Sequence, residues 1–364
     1  MNQSMRHLLS TMADRNATDL HLTKGSRPVY RVAGQLCRTD MPVLEAEDCE
    51  SMIFSLLTDH QREVAESQHE LDCSVHLDGI GRFRVNIYYQ KGCVGAALRL
   101  LPEKVPDFDQ LGLPAETMKE LAGRESGLII VTGPTGSGKS TTQAAIIDYI
   151  NRHMSRHIMC LEDPIEYLHE HRQGLVNQRE LGHDTEGFDT ALRHVLRQDP
   201  DVVHIGEMRD LETMRSALTV AETGHLALST LHTRSATKTL GRIIDAFPPH
   251  QQAQVHVQLA NVLTAVIAQQ LVPRADGKGL ALAYEILVAI PAIRNLVKEG
   301  ELGQIYSHLQ MGEKNGMITL NRSLARLVEA GEIRERAARR RSLRPENMDK
   351  MLEKCSRETR DATA

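Results

Sequence analysis

The 364-residue sequence has little net charge, no long uninterrupted apolar run, no closely spaced cysteines and no internal repeat. Each absence removes a class of function. A formal net charge of -5 gives no bulk attraction to nucleic acid or anionic lipid, so any such contact has to be local and no nucleic-acid partner is expected. The apolar stretch from Val262 to Val272 is broken by Thr264, Gln269 and Gln270 and falls short of the about 18 residues that cross a bilayer. The opening residues, Met1-Asn-Gln-Ser-Met-Arg-His, lack the apolar core of a signal peptide, so a cytosolic location is expected, with membrane association at most peripheral. The six cysteines, Cys37, Cys49, Cys73, Cys93, Cys160 and Cys355, contain no Cys-x-x-Cys pair, and reduced, mostly buried thiols are expected.

What is present centres on residues 133 to 140, Gly-Pro-Thr-Gly-Ser-Gly-Lys-Ser, between the apolar run Gly127 to Thr132 and a helix-like segment starting Thr141-Thr-Gln-Ala-Ala. Strand, phosphate loop and helix in that order form a nucleoside triphosphate site. Gly133, Gly136 and Gly138 let the loop that carries Pro134, Thr135 and Ser137 bend until several backbone N–H groups, proline offering none, point at one phosphate chain, and the first helical turn at Thr141 adds partial positive charge. Lys139 supplies a mobile cation for the β and γ phosphates, and Ser140 offers its hydroxyl to Mg2+.

The length fits two to three domains, and 41% hydrophobic residues suffice for their cores. In residues 1–101 a helix at about 2–14 precedes short alternating runs, namely 19–23, 29–34, 71–77, 82–89 and 94–100, which predict a small α+β domain. The segment 102–114 holds three prolines and reads as a linker. From 115 to 364, strand-like runs at 128–132, 158–161, 202–205 and 226–231 alternate with helical patterns, predicting an α/β domain with a largely parallel sheet. From about Pro249 onward the pattern is read as mostly helical, ending in a charged tail after Arg336.

Four further segments carry chemistry. The run Ile158 to Leu161 delivers Glu162 and Asp163 to a strand end, where a carboxylate can orient the water that attacks a γ phosphate. The run Val202 to Ile205 leads to Gly206-Glu207, placing Glu207 to hold Mg2+ through its water shell, while His204 within that run is read as a core histidine. His225 and His232 flank the run 226–231 as alternative phosphate sensors or structural caps, with no metal-ligand spacing between them. On Arg82-Phe-Arg-Val-Asn-Ile-Tyr-Tyr89, alternation puts Arg82 and Arg84 on one face and Phe83, Val85 and Ile87 on the other; with Arg99 they read either as a solvated polar face or as cations for transition-state charge.

Together the phosphate loop, Leu161-Glu-Asp-Pro-Ile-Glu, Ile205-Gly-Glu-Met-Arg-Asp and Thr230-Leu-His-Thr resemble the secretion-superfamily hexameric ATPases. Within them the chain is similar to the type IV pilus retraction ATPases of the PilT type, from Ala17-Thr-Asp-Leu-His-Leu-Thr through Gly81-Arg-Phe-Arg-Val-Asn to Ala292-Ile-Arg-Asn-Leu-Val-Lys-Glu. Assembly-type relatives carry an extra N-terminal domain and a four-cysteine zinc insertion that are not seen in this sequence. Thr18, His204, Arg234 and Gly241 depart from the family's usual residues, and Pro273-Arg-Ala-Asp-Gly-Lys-Gly is shared with the accessory PilU type. The resemblance implies a PAS-like N-terminal domain joined to a RecA-like P-loop ATPase domain with a helical C-terminal extension. It further implies ATP and Mg2+ as cofactors, a homohexamer in the cytoplasm at the pilus base, an inner-membrane platform protein as partner, and an accessory retraction paralogue as a further one. The implied roles are Glu162, Glu207, Arg82, Arg84, Arg99, His232 and His225 in catalysis and sensing. An accessory motor and a type IV secretion transport ATPase are the alternatives.

Overall fold

The computed structural model describes residues 2–15, 17–32, 34–102 and 104–353; Cys355 and the end of the charged tail lie outside them. The chain forms two compact units, Met1–Lys104 with Pro164–Leu168, and Val105–Asp163 with His169–Ala364.

In the first unit, α1 (Gln3–Asp14) leads into β1 (Ala17–Leu22), β2 (Val29–Val32) and β3 (Gln35–Arg38). Helices α2 (Ala46–Phe54) and α3 (Asp59–Gln68) follow, then β4 (Glu70–Leu77), β5 (Gly81–Gln90) and β6 (Cys93–Leu101). The strands form one antiparallel sheet in the order β3-β2-β1-β6-β5-β4. The Asn2 side chain caps α1 by accepting from Ser4 N–H at 2.8 Å. Met5, Leu8, Leu9 and Met12 recur at helical spacing on its buried face and share a core with Phe83, Val85 and Ile87 of β5. The Tyr30 hydroxyl donates to Leu8 O at 2.7 Å and ties β2 to α1. This is the α+β, PAS-like unit that the sequence implied.

The expected linker needs correction. From Val105 onward it belongs to the second unit, and Phe108 and Leu113 are buried with Met118 and Ile146. Burying each is worth about 2 kcal/mol, so the proline-rich stretch folds onto the second core instead of running free.

The second unit begins with α4 (Ala115–Ala122), β7 (Gly127–Thr132), α5 (Lys139–His153), β8 (His157–Glu162), β9 (Leu175–Glu180), α6 (Phe188–Val195) and β10 (Val202–Ile205). It continues with α7 (Leu211–Glu222), β11 (Leu226–Leu231), α8 (Ala236–Asp245), α9 (Pro249–Val262), β12 (Leu263–Pro273) and β13 (Leu280–Val288). Helices α10 (Pro291–Glu299), α11 (Ile305–Met311), α12 (Leu320–Glu329) and α13 (Glu335–Arg341) follow, and residues 345–353 are again helical. The sheet order is β13-β12-β7-β11-β10-β8-β9, parallel throughout except for the antiparallel β12–β13 pair. Strands β7, β10 and β11 are buried along their whole length, as a parallel sheet covered on both faces requires.

A second correction falls here. The helical pattern read after Pro249 is interrupted: past α9, β12 and β13 form a long hairpin, and β12 lies beside β7. The apolar stretch 262–272 is therefore an inner strand of the sheet. Among the described residues no helix is long and apolar enough to cross a membrane. Of the cysteines described, Cys49, Cys73 and Cys160 are buried, Cys93 is half-buried and Cys37 is exposed; all five are free thiols.

Candidate active site

The C-terminal ends of β7, β8, β10 and β11 bring the phosphate loop, Glu162, Glu207 and His232 to one edge of the sheet, where open α/β sheets bind ligands. Thr135 and Gly136 are exposed at the tip of the loop, Pro134 and Gly138 to Thr141 are half-buried, and Ser137 is buried. Gly133 has φ 152°, and a Cβ there would lie 2.3 Å from Gln269 O, so only glycine fits. Gly138, at φ 86°, sits at the N-cap of α5, which has neither a capping side chain nor an acidic residue in its first turn. Its leading N–H groups thus suit the oxygens of a phosphate.

Lys139 Nζ donates to Gly133 O at 3.0 Å and to Pro134 O at 3.4 Å, and lies 3.3 Å from His232 Nδ1. His232 Nε2 is 2.8 Å from Glu207 Oε1. An ammonium can only donate, so His232 Nδ1 accepts and its Nε2–H donates to Glu207, which fixes the tautomer. Arg209 extends the chain, with Nε 3.0 Å from Glu207 Oε2 and Nη1 3.3 Å from Asp163. Thr230 Oγ1 donates to Gly206 O at 2.7 Å and holds the turn that presents Glu207. Glu162, at the end of β8, accepts from Gln178 Nε2 at 2.9 Å.

This donor set suits a magnesium nucleotide: a cation at Lys139, a hydroxyl at Ser140, carboxylates at Glu207 and Glu162, and a helix start lacking its own anion. The buried Ser137 hydroxyl has no hydrogen-bond partner among the described residues, as expected of a group lining a phosphate cradle.

Other expected residues lie elsewhere. His225 is at the opposite end of β11, where its Nδ1 is 3.0 Å from Thr223 Oγ1 and 3.2 Å from Val220 O at the end of α7. Of its two readings, the structural cap is the one its contacts support. His204 is buried, its Nε2 3.1 Å from Gln143 Oε1, and burial pushes its pKa down to about 3, so it is a neutral core histidine.

In the first unit, Arg84 and Arg99 are cross-strand partners on β5 and β6. Arg99 Nε lies 2.8 Å from Asp19, Arg84 Nε lies 3.6 Å from Asp72, and Arg82 donates to Ser74. Burial raises the Asp19 carboxyl, but hydrogen bonds from Thr18 and Arg99 and the Arg99 charge outweigh it, and its pKa lies below the usual carboxylate value. The β5 face is polar as expected, and its arginines have partners of their own.

Two residues escaped the sequence reading. Gln269 of β12 donates through Nε2 to Ser137 O at 2.8 Å and accepts from Thr142 Oγ1 at 3.0 Å, bracing the phosphate loop from the neighbouring strand. Arg209 joins the two acidic segments. Neither stands in a motif whose spacing marks it, although Arg209 falls within the quoted acidic run Glu207-Met-Arg-Asp.

Comparison with known proteins shows the family of the chain. Residues 1–340 match the family described as Type II/IV secretion system protein. The chain is 46% identical over 340 residues to the type IV pilus retraction ATPase PilT of Pseudomonas aeruginosa, covering 93% of this chain and 98% of the relative. It is 40% identical over 326 residues to the type IV pilus ATPase PilU of the same organism, covering 90% and 85%. A crystal structure of the pilus retraction motor PilT with bound ADP superposes with a TM-score of 0.89 at 45% identity, covering 96% of this chain and 100% of that one.

Proposed function

The chain belongs to the Type II/IV secretion system protein family, and we propose that within it the protein is an ATP-hydrolysing motor that drives retraction of type IV pili. The observation that carries this reading is similarity over nearly the full length to a retraction ATPase, higher at 46% than the 40% to the accessory-type relative. The ATP chemistry is supported by the continuous polar path from Lys139 through His232 to Glu207.

In this reading, the loop N–H groups and the start of α5 bind the phosphate chain, and Lys139 turns from the Gly133 and Pro134 carbonyls to the β and γ phosphates. Ser140 and Glu207 would hold Mg2+, which would supply neutralisation of the phosphate charge. Glu162 orients the attacking water and takes its proton as the water oxygen bonds to the γ phosphorus and the bond to the bridging oxygen breaks. Drawing Lys139 away frees His232 Nδ1, so the imidazole reports the γ phosphate to Glu207. Arg82, Arg84 and Arg99 are assigned the role of transition-state cations, which requires exchange of their present carboxylate and hydroxyl partners for phosphate.

The working assembly is a homohexamer, peripheral to the inner membrane at the pilus base, acting on the platform protein and paired with an accessory paralogue. Complementing a deletion strain with wild-type and Lys139→Ala chains tests the function. Twitching restored only by the wild type is expected, and twitching restored equally by both would refute it.

A further inference from the structure

Beside the carboxylate assigned to water activation lie two buried polar side chains, Cys160 and His204, that hydrolysis does not use. Cys160 and Glu162 are two residues apart on β8 and so share one face of the sheet. On the neighbouring strand β10, His204 pairs in register with Cys160. One ligating atom from each of the three lies within 4.8 Å of the other two, a spacing that a metal ion can close. Cys160 and His204 are buried, and Glu162 is half-buried at the strand end.

The surroundings favour coordination over simple packing. Gln143 Oε1 lies 3.1 Å from His204 Nε2 and fixes that nitrogen as the protonated one. His204 Nδ1, inside a fully buried residue, then carries a lone pair with no hydrogen-bond partner among the described residues. A metal-ligating histidine is oriented in the same way, by donating its other N–H to a carbonyl. Gln178 holds Glu162 from the far side. The nearby polar atoms Gln143 Nε2 and His204 Nδ1 are costly to bury unpaired, at about 1–3 kcal/mol each, and such orphans call for an explanation.

We propose that Cys160, Glu162 and His204 form a site for a thiophilic divalent transition-metal ion of the Zn2+ class, and that its occupancy stops hydrolysis by holding Glu162. Sulfur, imidazole and one carboxylate match the borderline-soft Zn2+ and not the hard Mg2+ of the nucleotide site. Three protein ligands leave a fourth tetrahedral position for water. On coordination the Cys160 thiol gives its proton to solvent and binds as thiolate. A carboxylate oxygen bound to the ion cannot accept the proton of an attacking water. The inhibitory half rests on the role given to Glu162 above; the binding half does not.

The test uses the purified full-length chain, stripped with a chelator and titrated with Co2+ and then Zn2+. One equivalent of Co2+ should produce a thiolate-to-metal charge-transfer band that Zn2+ abolishes by displacement. Cys160→Ser and His204→Phe should lose the band while melting as folded proteins, and Cys37→Ser, which removes the exposed thiol, should keep it. No band, or a band that survives Cys160→Ser and vanishes with Cys37→Ser, would overturn the site. In parallel, one equivalent of Zn2+ should lower ATP turnover at least tenfold in the wild type and leave Cys160→Ser unaffected. A wild-type band without loss of turnover would overturn the inhibitory claim alone. A chain with no turnover at all would count against the ATPase reading, and the absorption band would still decide the binding.

Discussion

Replacing Gln269 by leucine is the sharpest probe of how the phosphate loop is held. The glutamine is 1% exposed and spends both ends of its amide on the loop region, Nε2 on Ser137 O and Oε1 on the Thr142 hydroxyl. Leucine removes both bonds without adding bulk. The Thr142 hydroxyl has a local alternative, since a helical threonine can donate to the carbonyl four residues back, here Gly138 O, and its loss costs little. Ser137 O has no such recourse in its buried setting, and a buried carbonyl left unpaired costs about 1–3 kcal/mol. The loop relieves that cost by shifting outward, and a nucleotide must then reimpose the bound shape. At about 1.4 kcal/mol per factor of ten, ADP binding should weaken about tenfold to a hundredfold. Titration calorimetry with Mg-ADP measures it, and thermal melting supplies the control. An ADP affinity like that of the wild type, with a melting temperature lowered by about 2–4 °C for each kcal/mol, would mean that Gln269 merely fastens β12 to α5, and the bracing argument would fail.

Substituting His232→Phe breaks the path between Lys139 and Glu207, and we expect turnover to fall at least tenfold with nucleotide affinity nearly retained; equal loss of both would assign the residue to binding. Arg294 Nη1 donates to Ala260 O at 2.9 Å and also to Asn261 O at the end of α9, and its Nε donates to Ala289 O. Arg294→Ala should therefore cost about 2 kcal/mol in urea unfolding, as charged bonds to orphan helix carbonyls do, and an unchanged midpoint would refute the capping role. Burial pushes the Tyr30 hydroxyl from 10.0 up to about 12. The folded state thus holds that proton more tightly than the unfolded chain, the contribution is complete below about pH 10, and about 3 kcal/mol is lost as pH rises through 12. Tyr30→Phe should flatten that alkaline loss, which unfolding curves taken at pH 9 and 11 would reveal.

The elements most readable from sequence were those whose geometry is set locally. The loop at 133–140 announces itself because glycines at fixed positions, a lysine and an apolar strand are all adjacent in the chain. The face of β5 was legible because one side meets solvent and the other a core, which writes a period of two into the residues. Strand β12 was not, because a strand covered on both faces loses that alternation and reads like a buried helix, the more so when α9 runs straight into it. Strands β3 and β9 are carried by pairing with neighbours, and little in Gln-Leu-Cys-Arg or Leu-Val-Asn-Gln-Arg-Glu marks them alone. Gln269 illustrates the same limit at the site: its meaning lies in two groups more than a hundred residues earlier, Ser137 and Thr142.

The β12–β13 hairpin also carries Glu285, which is buried and accepts from Ala236 N at 2.9 Å, at the start of α8, and from Leu320 N at 3.4 Å, at the start of α12. Burial raises its pKa despite those two bonds. One carboxylate therefore fastens the helix just downstream of His232 and the helix that opens the C-terminal region. Trimming the chain before α12 would strand that acid with half of its donors, so the last helices cannot be clipped away like a tag.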